Sequence, residues 1–290
     1  MALALSGQPF PSRRAELFEA IDESKLIRDV ARPRPLRLPR PIRVIAALVL
    51  REMTTTHGQS SLGYLWAILQ PIGGIALLAI AISLFLRAPP IGDSFALFYA
   101  TGVLPFTLFM DVQNSSMRAL RANRQLLFYP EVSYLDAIVA RFLLNMVTQA
   151  LVVFLVLCGI VILFGLRVQV DLGLVCASVA ITGFLALGIG TVNAVLIHLI
   201  PSWAQVWSVL MRPMFIASCI FFVFDDLPHW VQNILWFNPL VHVIGMMRAG
   251  IFTTYEGTYV SFAYPLGIAA VSLVVGLLAL RRYARDIINF

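Results

Sequence analysis

Six stretches of this chain are each long and apolar enough to cross a lipid bilayer, and they restrict its fold more than any motif it carries. Their approximate limits are 64–86, 95–112, 137–164, 172–200, 206–224 and 262–280. A bilayer core offers no water to the backbone, so about 20 apolar residues wound as a helix are needed to cross with every N–H and C=O paired internally. The third and fourth stretches exceed that length and imply tilt or extension beyond the hydrocarbon. With 60% hydrophobic and 12% charged residues, against about 25% charged in ordinary globular proteins, the chain lacks the polar surface of a soluble fold. The fold class expected is an all-α integral membrane protein with six transmembrane helices.

Charge fixes the orientation. The formal net charge is +6 and Lys25 is the sole lysine, so arginine supplies nearly all the positive charge. Before the first stretch lie Arg13, Arg14, Lys25, Arg28, Arg32, Arg34, Arg37, Arg40, Arg43 and Arg51; the second connection adds Arg118, Arg121 and Arg124, and the tail Arg281, Arg282 and Arg285. The other side carries only Arg87, Arg167 and Arg248, with Arg141 and Arg212 at inward ends of their spans. The positive-inside bias places both termini in the cytoplasm. Membrane lipids, rather than nucleic acid, are the partner this basic excess implies.

Four segments follow: a basic, proline-rich extension at 1–41, an interfacial segment at 42–63, the membrane domain at 64–280 and a tail at 281–290. The extension has no basic cap followed by an apolar core, which speaks against a cleaved signal. Residues 12–30 read as a short charged helix, and 32–41 space prolines too closely for one. Ile42, Ile45, Val49 and Met53 recur at helical spacing opposite Arg43, Arg51 and Glu52, the pattern of an amphipathic helix lying in the interface plane. Gly58 and Gly63 permit a turn into the first span. Between the last two spans, 227–248 is apolar but broken at Asn238-Pro239. Such a break at membrane depth persists only where protein or water covers the freed backbone; it reads as a re-entrant external helical hairpin.

Chemistry is sparse. A phosphate-binding loop needs Gly-Lys-Ser/Thr, and Lys25 follows Ser24. His57, His198, His229 and His242 are scattered, so no catalytic residue, bound cofactor or metal site is expected in this chain. Cys158, Cys176 and Cys219 read as buried small hydrophobes. Asp111 and His198 read as anchors at span ends, leaving little to run ion coupling. Arg118, Arg121 and Arg124 around Leu120 and Leu127 give a short helix with one basic and one apolar aspect, either a partner site or plain topology. Thr182, Ala186, Gly190 and Ala194 form a stripe for close helix packing, by default within one subunit. Tyr64 and Trp66, Trp203 and Trp207, Trp230 and Trp236, and Tyr259 and Tyr264 read as belt anchors, some of which would suit stacking against sugar rings.

Arg51-Glu52-Met53 followed by Gly58-Gln-Ser-Ser-Leu-Gly-Tyr-Leu-Trp-Ala-Ile-Leu-Gln-Pro71 resembles the permease subunits of ATP-binding-cassette exporters for capsular polysaccharide, whose relatives export O-antigen and teichoic acid. Asn123-Arg-Gln-Leu-Leu-Phe-Tyr-Pro130, Ala140-Arg-Phe-Leu-Leu144, Leu210-Met-Arg-Pro213 and Leu235-Trp-Phe-Asn-Pro-Leu-Val-His242 agree in family order. The resemblance implies a homodimer bound to two cassette ATPase subunits, which hold the ATP and magnesium, in the bacterial inner membrane. It implies a lipid-linked polysaccharide substrate, periplasmic or outer-membrane export partners, and no enzyme activity of this chain alone. By the same resemblance Arg51, Glu52, Tyr64 and Trp66 belong to a gate helix and lateral portal. Arg118, Arg121, Arg124, Gln125 and Phe128 belong to an ATPase-coupling loop, and Trp230, Trp236, Asn238, Pro239 and His242 to an external gate. Export of O-antigen, teichoic acid or a small amphiphile, and a membrane assembly role without transport, stand as alternatives. The chain departs from the family at Met53-Thr-Thr-Thr-His57, where basic and aromatic residues are common.

Overall fold

The computed structural model describes residues 40–56, 62–123 and 133–289. Two units divide the chain, Met1–Arg43 and Val44–Phe290; apart from the first turn of α1, the description below concerns the second. Among the described residues all regular structure is helical: α1 (Arg40–Thr56), α2 (Leu62–Ser83), α3 (Phe95–Met117), α4 (Ala119–Ala122), α5 (Tyr134–Leu163), α6 (Leu172–Leu199), α7 (Trp203–Ala217), α8 (His229–Leu235), α9 (Pro239–Ile251) and α10 (Ala263–Asn289). The charged helix expected at 12–30, the strip at 32–39, Gly58, and Arg124, Gln125 and Phe128 lie outside the described residues. Arg40 and Pro41, expected to end the strip, instead open α1, where a proline's missing N–H costs nothing. Gly63 likewise sits inside α2 rather than in a turn.

Five helices are long and apolar enough to cross a membrane: Leu65–Ser83 of α2, α3, α5, α6 and Ala263–Tyr283 of α10. The stretch expected as a fifth span at 206–224 differs. Its helix α7 has 15 residues and stops at Ala217, a rise of about 22 Å against about 30 Å of hydrocarbon. Beyond it the backbone carbonyls find partners on other elements. Asn238 Nδ2 donates to Ala217 O at 3.1 Å, and Arg248 donates to Ile220 O at 3.0 Å and Phe222 O at 2.9 Å. These donors replace the next helical turn and stabilise Cys219 at φ +60°, a left-handed conformation that costs a non-glycine residue about 1–3 kcal/mol. After α8, a 105° bend leads into α9. Asn238 caps α9 through Leu240 N at 3.0 Å, with Pro239 in the first turn.

The core forms around α3, which packs against α2, α5, α6 and α9, while α6 also packs along α10. Phe98, Tyr99, Leu104, Leu108 and Phe109 of α3 are buried with Leu185, Ile244 and Met247. Leu77, Phe154, Val271 and Leu278 point outward, as helices facing lipid require. Cys176 is exposed and Cys158 half-buried, so of the three cysteines only Cys219 is the buried hydrophobe expected. Hydropathy cannot distinguish a lipid-facing cysteine from a core one.

The small-residue stripe of α6 is consumed within the subunit. Thr182, Ala186, Gly190 and Ala194 are all buried, and a Cβ on Gly190 would stand 2.7 Å from Ser116 Cβ of α3. On the neighbouring face a Cβ on Gly188 would lie 2.4 Å from the Ala269 carbonyl oxygen of α10. Backbone cannot rotate away as a side chain does. Gly188→Ala is therefore expected to destabilise the fold by about 1–3 kcal/mol, read as a lower unfolding midpoint of the detergent-solubilised protein; an unchanged midpoint would show that α6 and α10 slide apart freely.

Candidate functional site

Three groups of candidate side chains emerge. The first lies where α1 meets α5 and the end of α4. Glu52 of α1 pairs with Arg141 Nη2 of α5, their side chains 10% and 17% exposed. The preceding residue, Arg51, reaches Asn123 Oδ1 through Nη1 at 3.4 Å, and Asn123 is anchored by Nδ2 to Ala119 O at 3.1 Å. Asn123 closes α4, the four-residue helix carrying Arg121. Leu120 of α4 is buried with Ala119, Ile138, Ala194, Val195 and Leu280, while Arg118 and Arg121 are exposed. The amphipathic helix is thus joined by polar contacts both to a long membrane helix and to the basic connection after α3. Arg141 and Asn123 were not singled out as site residues, because nothing local marks a residue 89 or 72 positions from its partner.

The second group lies around the α8–α9 bend. His242 is fully buried; its Nδ1 accepts from Ser261 N at 3.2 Å. That acceptance leaves Nε2 to carry the proton and donate to Trp236 O at 2.9 Å. Trp236 stands 4.9 Å from Tyr264 and 5.2 Å from His242, ring centre to ring centre, and Tyr264 Oη donates to Phe237 O at 2.7 Å. Asn238 also donates to Ser218 Oγ at 3.2 Å. Trp236, Asn238, Pro239 and His242 are therefore brought together, but Trp230 is 69% exposed and stands apart. Gln232 gathers three carbonyls, those of Phe224, Asp225 and Leu227.

Arg248, counted in the sequence as an external charge, is buried completely. Its guanidinium holds two carbonyls and lies 4.4 Å from the Phe98 ring centre. Nearby, Tyr255 Oη donates to Tyr259 at 3.0 Å, and burial pushes the Tyr255 hydroxyl up to about 12. Tyr259 stacks on Phe224 at 3.9 Å, so it is a packed residue rather than a belt anchor.

Apart from Trp66, the third group was not foreseen. Trp66, Gln70 and Pro71 of α2, Thr107 and Asp111 of α3, and Gln149 of α5 line one polar recess, with Gln149 Nε2 donating to Asp111 Oδ2 at 2.6 Å. Asp111 had read as a span-end anchor; α3 continues to Met117, which sets Asp111 about 9 Å inside the helix end. Arg212 likewise lies within α7 rather than at its start. Trp203 and Trp207 donate inward to Asn193 Oδ1 at 2.8 Å and Gln113 Oε1 at 3.0 Å, so they too are tied to the bundle. Trp66 is 66% exposed. Tyr64 lies in the first turn of α2.

Among the described residues, apolar helices long enough to cross a bilayer are combined with an amphipathic helix held by polar contacts, the architecture of a multi-pass membrane protein. Residues 43–252 match the ABC-2 type transporter family. The chain belongs to that family. It is 32% identical over 234 residues to the polysialic acid transport protein KpsM of Escherichia coli, covering 80% of this chain and 90% of the relative. It is 28% identical over 247 residues to the capsule polysaccharide export inner-membrane protein CtrC of Neisseria meningitidis serogroup A, covering 84% and 92%. Against the capsule polysaccharide export inner-membrane protein BexB of Haemophilus influenzae the identity is 24% over 247 residues, with the same coverage.

Proposed function

We propose that this chain is the membrane-spanning subunit of an ATP-driven exporter that moves a lipid-linked capsular polysaccharide across the bacterial inner membrane. The observation that carries the reading is similarity along nearly the whole length of relatives whose names all concern transport or export of capsule-type polymers. Two copies form the channel and each binds one cassette ATPase, which contributes the ATP and magnesium. Both termini face the cytoplasm. The short α7 supplies a fifth crossing of a locally covered pore, with α8 and α9 as a re-entrant cap on the periplasmic side.

Arg118, Arg121 and Arg124, with Gln125 and Phe128, receive motion from the ATPase. The Arg51–Asn123 contact supports this, since it gives the basic connection a direct link to α1, which the Glu52–Arg141 pair ties in turn to α5. Trp236, Asn238, Pro239 and His242 close the outer mouth, and capsule-export proteins of the periplasm and outer membrane meet that side. Deleting the chain is expected to remove polysaccharide from the cell surface and accumulate it inside. Alanine at Arg118, Arg121 and Arg124 together is expected to reproduce that defect with normal protein levels, and to abolish copurification of the ATPase or its stimulation. Surface polysaccharide unchanged in the deletion strain would overturn the function; normal export in the triple variant would overturn only the coupling assignment.

A further inference from the structure

A carboxylate exposed on a spanning helix requires an explanation. Asp111 is exposed, six residues before the end of α3, and Gln149 stands near the centre of the 30-residue α5. A charged group facing lipid costs up to about 2.5–3.5 kcal/mol on the insertion scale, the figure for a helix centre, and one hydrogen bond from Gln149 offsets part of it. The surface bearing Asp111 therefore faces water, ligand or protein rather than acyl chains.

The groups around it have one chemistry in common. Gln70 is exposed and offers both amide donors and an acceptor. Thr107 donates to Leu104 O at 3.0 Å, which leaves its oxygen free to accept. Pro71 has no N–H to return to the Ala67 carbonyl, and Ala67 lines the same recess. Trp66 supplies a broad exposed ring. Acceptors outnumber donors beside an aromatic plane, which suits a ring bearing hydroxyl groups: the hydroxyls donate to Asp111 and the carbonyls while the ring's C–H face lies on the indole. The recess holds about 210 Å³, below the roughly 300–1,000 Å³ of common ligand sites, and so takes one sugar ring rather than a chain.

Alongside it, between α2 and α5, runs a second recess lined by Ile72, Ile75, Ala79, Val156, Ile160 and Leu163 among other apolar residues. It starts within the same part of α2 and continues toward that helix's C-terminal end. A polar recess and an apolar groove that both use α2 suit an amphiphile, with its hydroxylated head at Asp111 and its alkyl chain along α2. We propose that Trp66, Gln70, Thr107, Asp111 and Gln149 form a binding site for a hydroxylated sugar ring at the lipid-linked end of the glycan. This rests on the function proposed above.

The test uses cysteine accessibility in the full chain with its ATPase. Cys158 and Cys176 are replaced by alanine, buried Cys219 is kept, and Ala67→Cys is introduced in the recess lining. A membrane-impermeant charged methanethiosulfonate is then applied to inverted membrane vesicles from cells blocked in glycan synthesis and from cells making glycan. Ala67→Cys is expected to react in the first, whereas Leu77→Cys on the lipid face is not. Glycan is expected to slow the reaction about tenfold, the ratio for a site filled nine-tenths of the time.

Asp111→Leu is expected to weaken binding about tenfold, the loss of one charge-assisted hydrogen bond, which cuts the tenfold slowing to about twofold, while Asp111→Asn retains part of it. No reaction without glycan would mean that lipid or a second copy covers the recess, and would overturn the site. Equal protection in both kinds of vesicle would assign the recess to an ordinary lipid head group and overturn it too. Neither result touches the exporter reading while the deletion strain still loses its surface polysaccharide.

Discussion

Replacing Arg141 by alanine is expected to cut export at least about tenfold without removing the protein from the membrane. The pair it forms with Glu52 is nine-tenths or so out of contact with solvent on the glutamate side, and removal of one member of a buried pair leaves the other charge desolvated, at a cost of up to about 3–5 kcal/mol. Partial exposure of Arg141 reduces that figure. The penalty falls on the position of α1 rather than on the bundle, because the ion pair ties α1 to α5 while the spanning helices keep their own apolar contacts. The contact uses Nη2, and Nε is buried without an acceptor, so Arg141→Lys should retain more export than Arg141→Ala. Exchanging the charges, with Glu52→Arg and Arg141→Glu together, should recover part of the loss that either single change causes. Surface polysaccharide and membrane-bound protein, measured side by side, decide the matter. Equal export in the alanine variant would show that α1 does not depend on this pair.

The second large effect is at Arg248. Leucine at this position fills much of the volume but leaves the Ile220 and Phe222 carbonyls without the donors that hold them. Each charge-assisted bond contributes about 1.5–3 kcal/mol and an orphaned buried acceptor costs about 1–3 kcal/mol; desolvation of the guanidinium is relieved at the same time. A net loss of about 2–4 kcal/mol is expected. It should appear as a lower unfolding midpoint in detergent and as proteolytic opening near Cys219, where the positive φ is stabilised by these contacts. Arg248→Lys should fall between the two, since one ammonium cannot present a planar fork to both carbonyls. An unchanged midpoint in Arg248→Leu would mean that the segment after α7 is held by Asn238 alone.

These two arginines show where sequence reading reaches and where it stops. Both were counted as topology charges. One is half of an ion pair spanning 89 positions, the other a buried clamp on a segment 26 to 28 residues away. The two-faced character of the connection after α3 was legible because its basic and apolar residues alternate locally: Leu120 is buried while Arg118 and Arg121 are exposed. The Asn238-Pro239 break was legible because proline and a capping side chain act within one turn. The recess at Asp111 was not, since it is assembled from three helices whose rotations no local pattern specifies.

By itself, then, the sequence determined the class of fold and the break at Asn238-Pro239. Hydrophobic length dictates that α2, α3, α5, α6 and α10 are helices able to cross a bilayer, and proline and capping residues dictate where α9 begins, because both effects act on neighbours in the chain. Only the tertiary structure decided that α7 ends at Ala217, that the small-residue face of α6 is filled by α3 and that Asp111 meets Gln149. Those outcomes depend on which helices pack together and how each is turned about its axis. That choice is made by side-chain fit and by polar groups seeking partners at long separation, not by hydropathy.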